Sequence, residues 1–263
     1  MKRRHTRKWP YRQADPKWAK DIISVKDKLI GVHLAVNGRT LKEVEDWDWG
    51  DTIETDGCLL TSLAMTLDLL APRPRSGRWT PRTLNTEARN LLYYSDAGLS
   101  IVPLYADLVA DVTHGRVQLC AQEQYFSGEM GRRWRTPKQC PLLRGYRALP
   151  KSRRLDFAVM LKLGTQDDNF ASHYVLVDPD LPGSPDDDDV AILDPDQPVG
   201  RVTPWYLSDS YSRLAKCPDI LLEWGNRIHW KEKQLAGVWV FGRWRNKRAR
   251  SLAGDLLTAI ADS

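Results

Sequence analysis

Residues 59–70 run Leu59, Leu60, Thr61, Ser62, Leu63, Ala64, Met65, Thr66, Leu67, Asp68, Leu69, Leu70, and the segment is apolar on nearly every side of a helix. A helix of that kind survives only when neighbours cover it all round, so a core must be built around it. Ala71 and Pro72 end it, because a proline disfavours helical geometry in the residue before it. The residue that opens it is Cys58, after Asp56 and Gly57. A helix start presents unpaired N–H groups and the positive end of the dipole, which favour thiolate over thiol. Gly57 permits a tight turn into the helix and leaves room for a substrate backbone. Read without its surroundings, Cys58 is also compatible with the small buried apolar role of most free cysteines.

The rest of the chain supplies the cover. Pro10 and Pro16 break an extended N-terminal stretch. Leu29 to Val36 alternates apolar and polar residues and meets Asn37-Gly38, a hairpin turn signal. Thr83 to Tyr94 reads as a second, amphipathic helix. Residues 100–155 read as short helices and strands leading into a basic connection. Strands are expected at Phe157–Leu163, Ser172–Asp178 and Val190–Asp194, the last two joined by the Pro/Asp/Gly loop from Pro179 to Asp189. Val238–Phe241 reads as a further strand and Leu252–Ile260 as a short helix. One buried helix early and an antiparallel sheet late imply an α+β fold.

A thiolate needs a base, and the base needs an orienter. Of five histidines, His173 is flanked by strand-forming apolar residues far along the chain, where a cysteine hydrolase commonly keeps its base. Asp194 closes the next strand, ahead of Pro195. Adjacent antiparallel strands would set the two side by side. Asp178, an odd number of positions from His173 on the same strand, would point to the opposite face.

In combination these segments resemble the papain-like peptidases related to the bacteriocin-leader (double-glycine) processing proteases. Tyr11 to Ala19, with Gln13, Asp15 and Trp18, is similar to that family's opening glutamine motif. Thr52-Ile53 and Asp56-Gly57-Cys58, continuing through Thr61 to Met65, resemble the nucleophile motif. Thr80-Pro81 with Leu84-Asn85 resembles the next helix start. Ser172 to Val177 and then Ile192 to Pro195 resemble the histidine strand and the strand of the third residue. The matches keep the family order over residues 11–195. The resemblance implies Cys58 as nucleophile, His173 as base, Asp194 as its orienter and Gln13 as a donor to the oxyanion hole, with no metal or organic cofactor. Gln13 lies farther ahead of Cys58 than the pattern expects, and a hairpin inserted at 26–50 accounts for the extra length.

The expected organisation is a basic N-terminal segment (1–25) carrying the glutamine motif, a papain-like catalytic domain (26–215) and a C-terminal extension with a basic tail (216–263). Cys58, Cys120, Cys140 and Cys217 contain no Cys-x-x-Cys pair, which argues against a zinc site or a dense disulfide framework. No apolar run approaches the roughly 18 residues of a membrane span, and the basic start has no apolar stretch behind it, so no signal peptide is expected. The expected setting is cytoplasmic or virion-associated, with a peptide or peptidoglycan-type substrate and a phage or prophage source. The acidic run Asp186–Asp189 is compatible with calcium, basic substrates or a solvated loop tip. The net charge is +5, with basic clusters at the N-terminus, from Arg132 to Arg154 and from Arg243 to Arg250, two of them carrying Trp134 and Trp244. These raise the competing class: a non-catalytic papain-like module that binds nucleic acid or a protein partner in a larger assembly.

Overall fold

The computed structural model describes residues 11–23, 52–74, 77–94, 102–125, 135–165, 173–197, 204–216 and 230–243. The expected hairpin at 26–50, the helix at 252–260 and much of the basic clusters lie outside the described residues. Helix α1 (Ile53–Asp56) leads through Gly57 into α2 (Cys58–Leu70), followed by α3 (Pro81–Asn90) and α4 (Val102–Val112). Strand β1 (Val117–Gln124), a 3₁₀ turn (Pro137–Gln139), α5 (Pro141–Ala148) and α6 (Lys151–Arg154) precede β2 (Phe157–Thr165), β3 (Tyr174–Val177), β4 (Ala191–Leu193) and β5 (Trp205–Tyr206). Helix α7 (Leu207–Leu214) and strand β6 (Trp230–Arg243) complete the described elements. The architecture is mixed helix and sheet around one six-stranded antiparallel sheet in the order β1-β6-β2-β3-β4-β5.

Side-chain alternation divides β2 between two cores. Ala158 and Met160 face the cluster built on α2, α3 and α4, whereas Phe157, Val159, Leu161 and Leu163 face the cluster that includes Tyr146 of α5 and Tyr211 of α7. Helix α2 lies against the first face, and eleven of its thirteen residues are buried. Its polar positions are mostly satisfied locally: Ser62 Oγ donates to Tyr174 O of β3 (3.0 Å) and Thr66 Oγ1 to Ser62 O (3.0 Å).

The division of the chain read from sequence needs correction at both ends. Strand β6 comes from the segment set apart as a C-terminal extension, yet it lies between β1 and β2 and pairs with both. Antiparallel pairing joins segments remote in sequence, so a late strand can occupy the centre of a sheet without any local sign. The glutamine-motif segment is likewise part of the packed body. Tyr11, Trp18 and Ile23 are buried in the α2-side core, Tyr11 meets Trp18 edge-on at 5.7 Å, and Ile53 N donates to Asp21 O (3.0 Å).

Strand β6 also finishes helix α2. A helix leaves its last carbonyls without partners. The Arg243 guanidinium, at the end of β6, donates to Leu69 O (2.6 Å) and Leu70 O (2.8 Å). Charge-assisted bonds of this kind contribute about 1.5–3 kcal/mol. Replacing Arg243 by Met should therefore lower the unfolding free energy by about 1–3 kcal/mol in denaturant titration. A change below about 0.5 kcal/mol, the usual range for an inconsequential surface residue, would contradict the capping role.

Candidate active site

Gly57 is both the end of α1 and the cap of α2, at φ −83° and ψ 12°. Its need is space. A Cβ there would sit 2.3 Å from Ile53 O and 2.7 Å from Ile53 Cα. The junction stays closed because Gly57 N donates to Ile53 O (3.1 Å) and Thr61 N to Gly57 O (2.8 Å). Cys58 follows as the first residue of α2, half-buried, with no acidic residue in the first turn to offset the positive end of the helix.

His173 and Asp194 meet at one edge of the sheet. The antiparallel register pairs Leu176 with Leu193 and Val177 with Ile192, so the start of β3 adjoins the end of β4. Both side chains lie just outside the strands that were expected to contain them: His173 precedes β3 and Asp194 follows β4. His173 Nε2 donates to Asp194 Oδ1 at 2.8 Å, and both residues are buried, at 6% and 2% exposure. The Cys58 thiol hydrogen-bonds the same ring. With Nε2 committed to Asp194, Nδ1 is the nitrogen left to exchange a proton with sulfur. Asp178 does not compete: its carboxylate accepts the Asp180 N–H (2.9 Å) at the far end of β3.

The electrostatics follow from this pairing. Burial alone would press the His173 pKa down, but the Asp194 charge and hydrogen bond, with the bond to Cys58, outweigh it and hold it well above 6.5. Burial also disfavours the Asp194 charge, and the His173 charge, with hydrogen bonds from His173, Ser210 and Asp196 N–H, holds its pKa below 3.8. The arrangement favours imidazolium and carboxylate together.

Gln13 is tied to both halves of the site. Its backbone N–H donates to Pro195 O (2.9 Å), next to Asp194, and its side-chain amide donates to Glu54 O (2.8 Å), in the helix before Cys58. An amide has two N–H donors, and Glu54 takes one. Trp18 Nε1 pins the same segment by donating to Arg12 O (2.7 Å).

Three further residues escaped the sequence reading. Ser210 of α7 donates to Asp194 Oδ2 and accepts the Trp205 indole N–H (2.7 Å), so both carboxylate oxygens are occupied. Lys162, in β2, lies on the face of Met160 and Ala158, and its Nζ stands 5.7 Å from the centre of the Tyr174 ring. Its one visible signal was a lone charge inside the apolar run 157–163. The acidic loop proves to be internally braced. Asp187 accepts Ser184 N–H (2.7 Å), Asp189 accepts Ser208 N–H (3.2 Å), and Asp188 pairs with Lys138. The buried Arg147 guanidinium holds Pro182 O, Asp187 O and Asp189 O at 2.6–2.9 Å. Among the described residues no group of three or more His, Cys, Asp or Glu is placed to hold a metal ion, and no helix is long and apolar enough to cross a membrane.

Comparison with protein-family models, with curated proteins and with solved structures found no match.

The two shifts give a pH signature with a definite sign. The raised His173 pKa contributes stability that is whole below 6.5 and fades as pH climbs through its folded value; the lowered Asp194 pKa contributes stability that is whole above 3.8 and fades as pH falls through its folded value. The pair therefore stabilises most between those limits. In Asp194→Asn the opposing charge is gone and only the contacts with Cys58 still offset burial, so an NMR titration should show a lower His173 pKa than in the wild type. An unchanged value would show that Asp194 does not govern the ring.

Proposed function

We propose that this protein is a papain-like cysteine hydrolase that opens a peptide-type amide bond through Cys58, His173 and Asp194. The observation that carries this reading is the chain of contacts from the Cys58 thiol, at a helix start, through the His173 ring to the buried Asp194 carboxylate at 2.8 Å. A nucleophile bonded to a base that is itself oriented by a third group is the recurrent arrangement for covalent acyl transfer.

In this mechanism the Cys58 proton resides on His173 as a thiolate–imidazolium pair, and the thiolate attacks the carbonyl carbon. The charge that develops on the carbonyl oxygen is held by the Cys58 backbone N–H and by the second amide hydrogen of Gln13. His173 returns the proton to the leaving amine, which departs as the C–N bond breaks. Water then attacks the thioester with His173 as base and releases the acid. Asp194 fixes the ring angle and the tautomer throughout, and stays ionised because three donors hold its charge: His173 Nε2, Ser210 Oγ and Asp196 N. The substrate class that fits is a peptide or a peptidoglycan cross-link, both of which present an amide to the thiolate.

The test is hydrolysis of a peptide and muropeptide panel. Wild type should cleave at least one member and Cys58→Ser none; cleavage that survives in Cys58→Ser would overturn the proposal. Gln13 acts only after attack, so Gln13→Ala should leave alkylation of Cys58 by iodoacetamide near normal while lowering turnover about 10²–10³-fold. Unchanged turnover in that variant would remove Gln13 from the oxyanion hole.

A further inference from the structure

Among the described residues, Lys162 is an ammonium with no carboxylate paired to it. It is half-buried in β2, where its backbone is held between Tyr174 of β3 and Gly237 of β6. Its Nζ stands 5.7 Å from the centre of the Tyr174 ring, which packs on Trp239 at 5.8 Å, and the Ser62 hydroxyl donates to the Tyr174 backbone carbonyl. Gly237 accommodates that wall: a Cβ there would meet the Trp239 ring at 2.5 Å. Among the described residues no carboxylate lies within ion-pair distance of Lys162, and the charge that acts on it is that of Cys58. Burial pushes its pKa down, and the Cys58 charge partly restores it.

The Cys58 charge does not satisfy this group. Cys58 hydrogen-bonds His173, and its charge disappears once sulfur is acylated. A partly desolvated cation, held over the ring of the residue that follows His173 and whose carbonyl is bonded by Ser62 of the Cys58 helix, calls for an anion from the bound substrate. We propose that Lys162 is the carboxylate-recognising residue of the Cys58 site, so that the amide opened at Cys58 lies beside a free carboxylate of the substrate. This rests on the reading of Cys58 as the nucleophile and adds a substrate class to it: an amide with an acidic side chain or a terminal carboxylate next to the scissile bond.

Iodoacetate and iodoacetamide test this, since they differ only in carboxylate against carboxamide and both transfer an acetyl-type methylene to sulfur with loss of iodide. Rates at Cys58 are read by peptide mass mapping on the full chain near neutral pH. Lys162→Met should lower the iodoacetate-to-iodoacetamide rate ratio at least about tenfold, the worth of one charge-assisted bond, over and above any fall common to both reagents from the lost attraction between Lys162 and the Cys58 thiolate. Lys162→Arg, which keeps the charge, should retain the ratio within about threefold. Lys162→Gln carries the same prediction as Lys162→Met and decides the matter if the Met variant loses cooperative melting. Protection of Cys58 from iodoacetamide by N-acetylglutamate α-amide would assign the side-chain source, and protection by N-acetylalanine the terminal one. An unchanged ratio in Lys162→Met overturns the proposal, as does an equal fall in both rates, which would make Lys162 a support for the thiolate instead. Cys58 reacting no faster than Cys120 and Cys140 with either reagent would instead sink the hydrolase reading, and this proposal with it.

Discussion

The buried pair of His173 and Asp194 sets what the surrounding structure must provide. Neither charge would persist alone at 6% and 2% exposure, because desolvation acts against both. The sheet answers by bringing the start of β3 and the end of β4 to one edge, and α7 answers with Ser210, whose hydroxyl takes the second carboxylate oxygen. Trp205 then holds Ser210 in place through its indole N–H. Losing one partner of such a pair typically costs about 3–5 kcal/mol, so the same contacts that orient the ring also hold the edge of the sheet together. The site and the fold share this buried pair.

Helix α2 is positioned with comparable care at both ends. Gly57 lets its start press against Ile53, which sets the Cys58 thiol against the His173 ring, and Arg243 closes its last carbonyls. Between those ends the helix is almost wholly buried against β2, β3 and β6. Gln13 bridges the gap between the helix side and the sheet side, with one bond to Glu54 O and one to Pro195 O. Segments remote in sequence are thus joined to one another by hydrogen bonds.

Much of this was legible in the residues themselves. The all-round apolar run 59–70 required a buried helix, and the strands around His173 and Asp194 announced themselves by composition. Asp194 over Asp178 followed from strand parity. The central place of β6 was hidden, because Val238–Phe241 carries no mark of where in a sheet it pairs. Ser210 was hidden inside an amphipathic helix, where a serine looks like any polar position. Lys162 carried a faint signal, one charge in an apolar strand, and only the register with Tyr174 gave it meaning. The acidic run 186–189 was compatible with calcium, basic substrates or a solvated loop tip; in the structure Arg147 draws the loop's carbonyls inward, and the Asp187 and Asp189 carboxylates accept hydrogen bonds from Ser184 N–H and the Ser208 hydroxyl.

We read Cys58, alone among the described cysteines, as a thiol placed to act as a nucleophile. Burial pushes the Cys120 thiol up to about 11 and the Cys140 thiol to about 12, so neither should ionise near neutral pH. Site-resolved iodoacetamide labelling at limiting reagent, with and without the His173→Ala substitution, tests the claim most directly. Cys58 should be labelled well ahead of Cys120 and Cys140 in the wild type and lose that lead when His173 is replaced. Equal labelling of the three thiols, or a lead for Cys58 that survives the loss of His173, would contradict it.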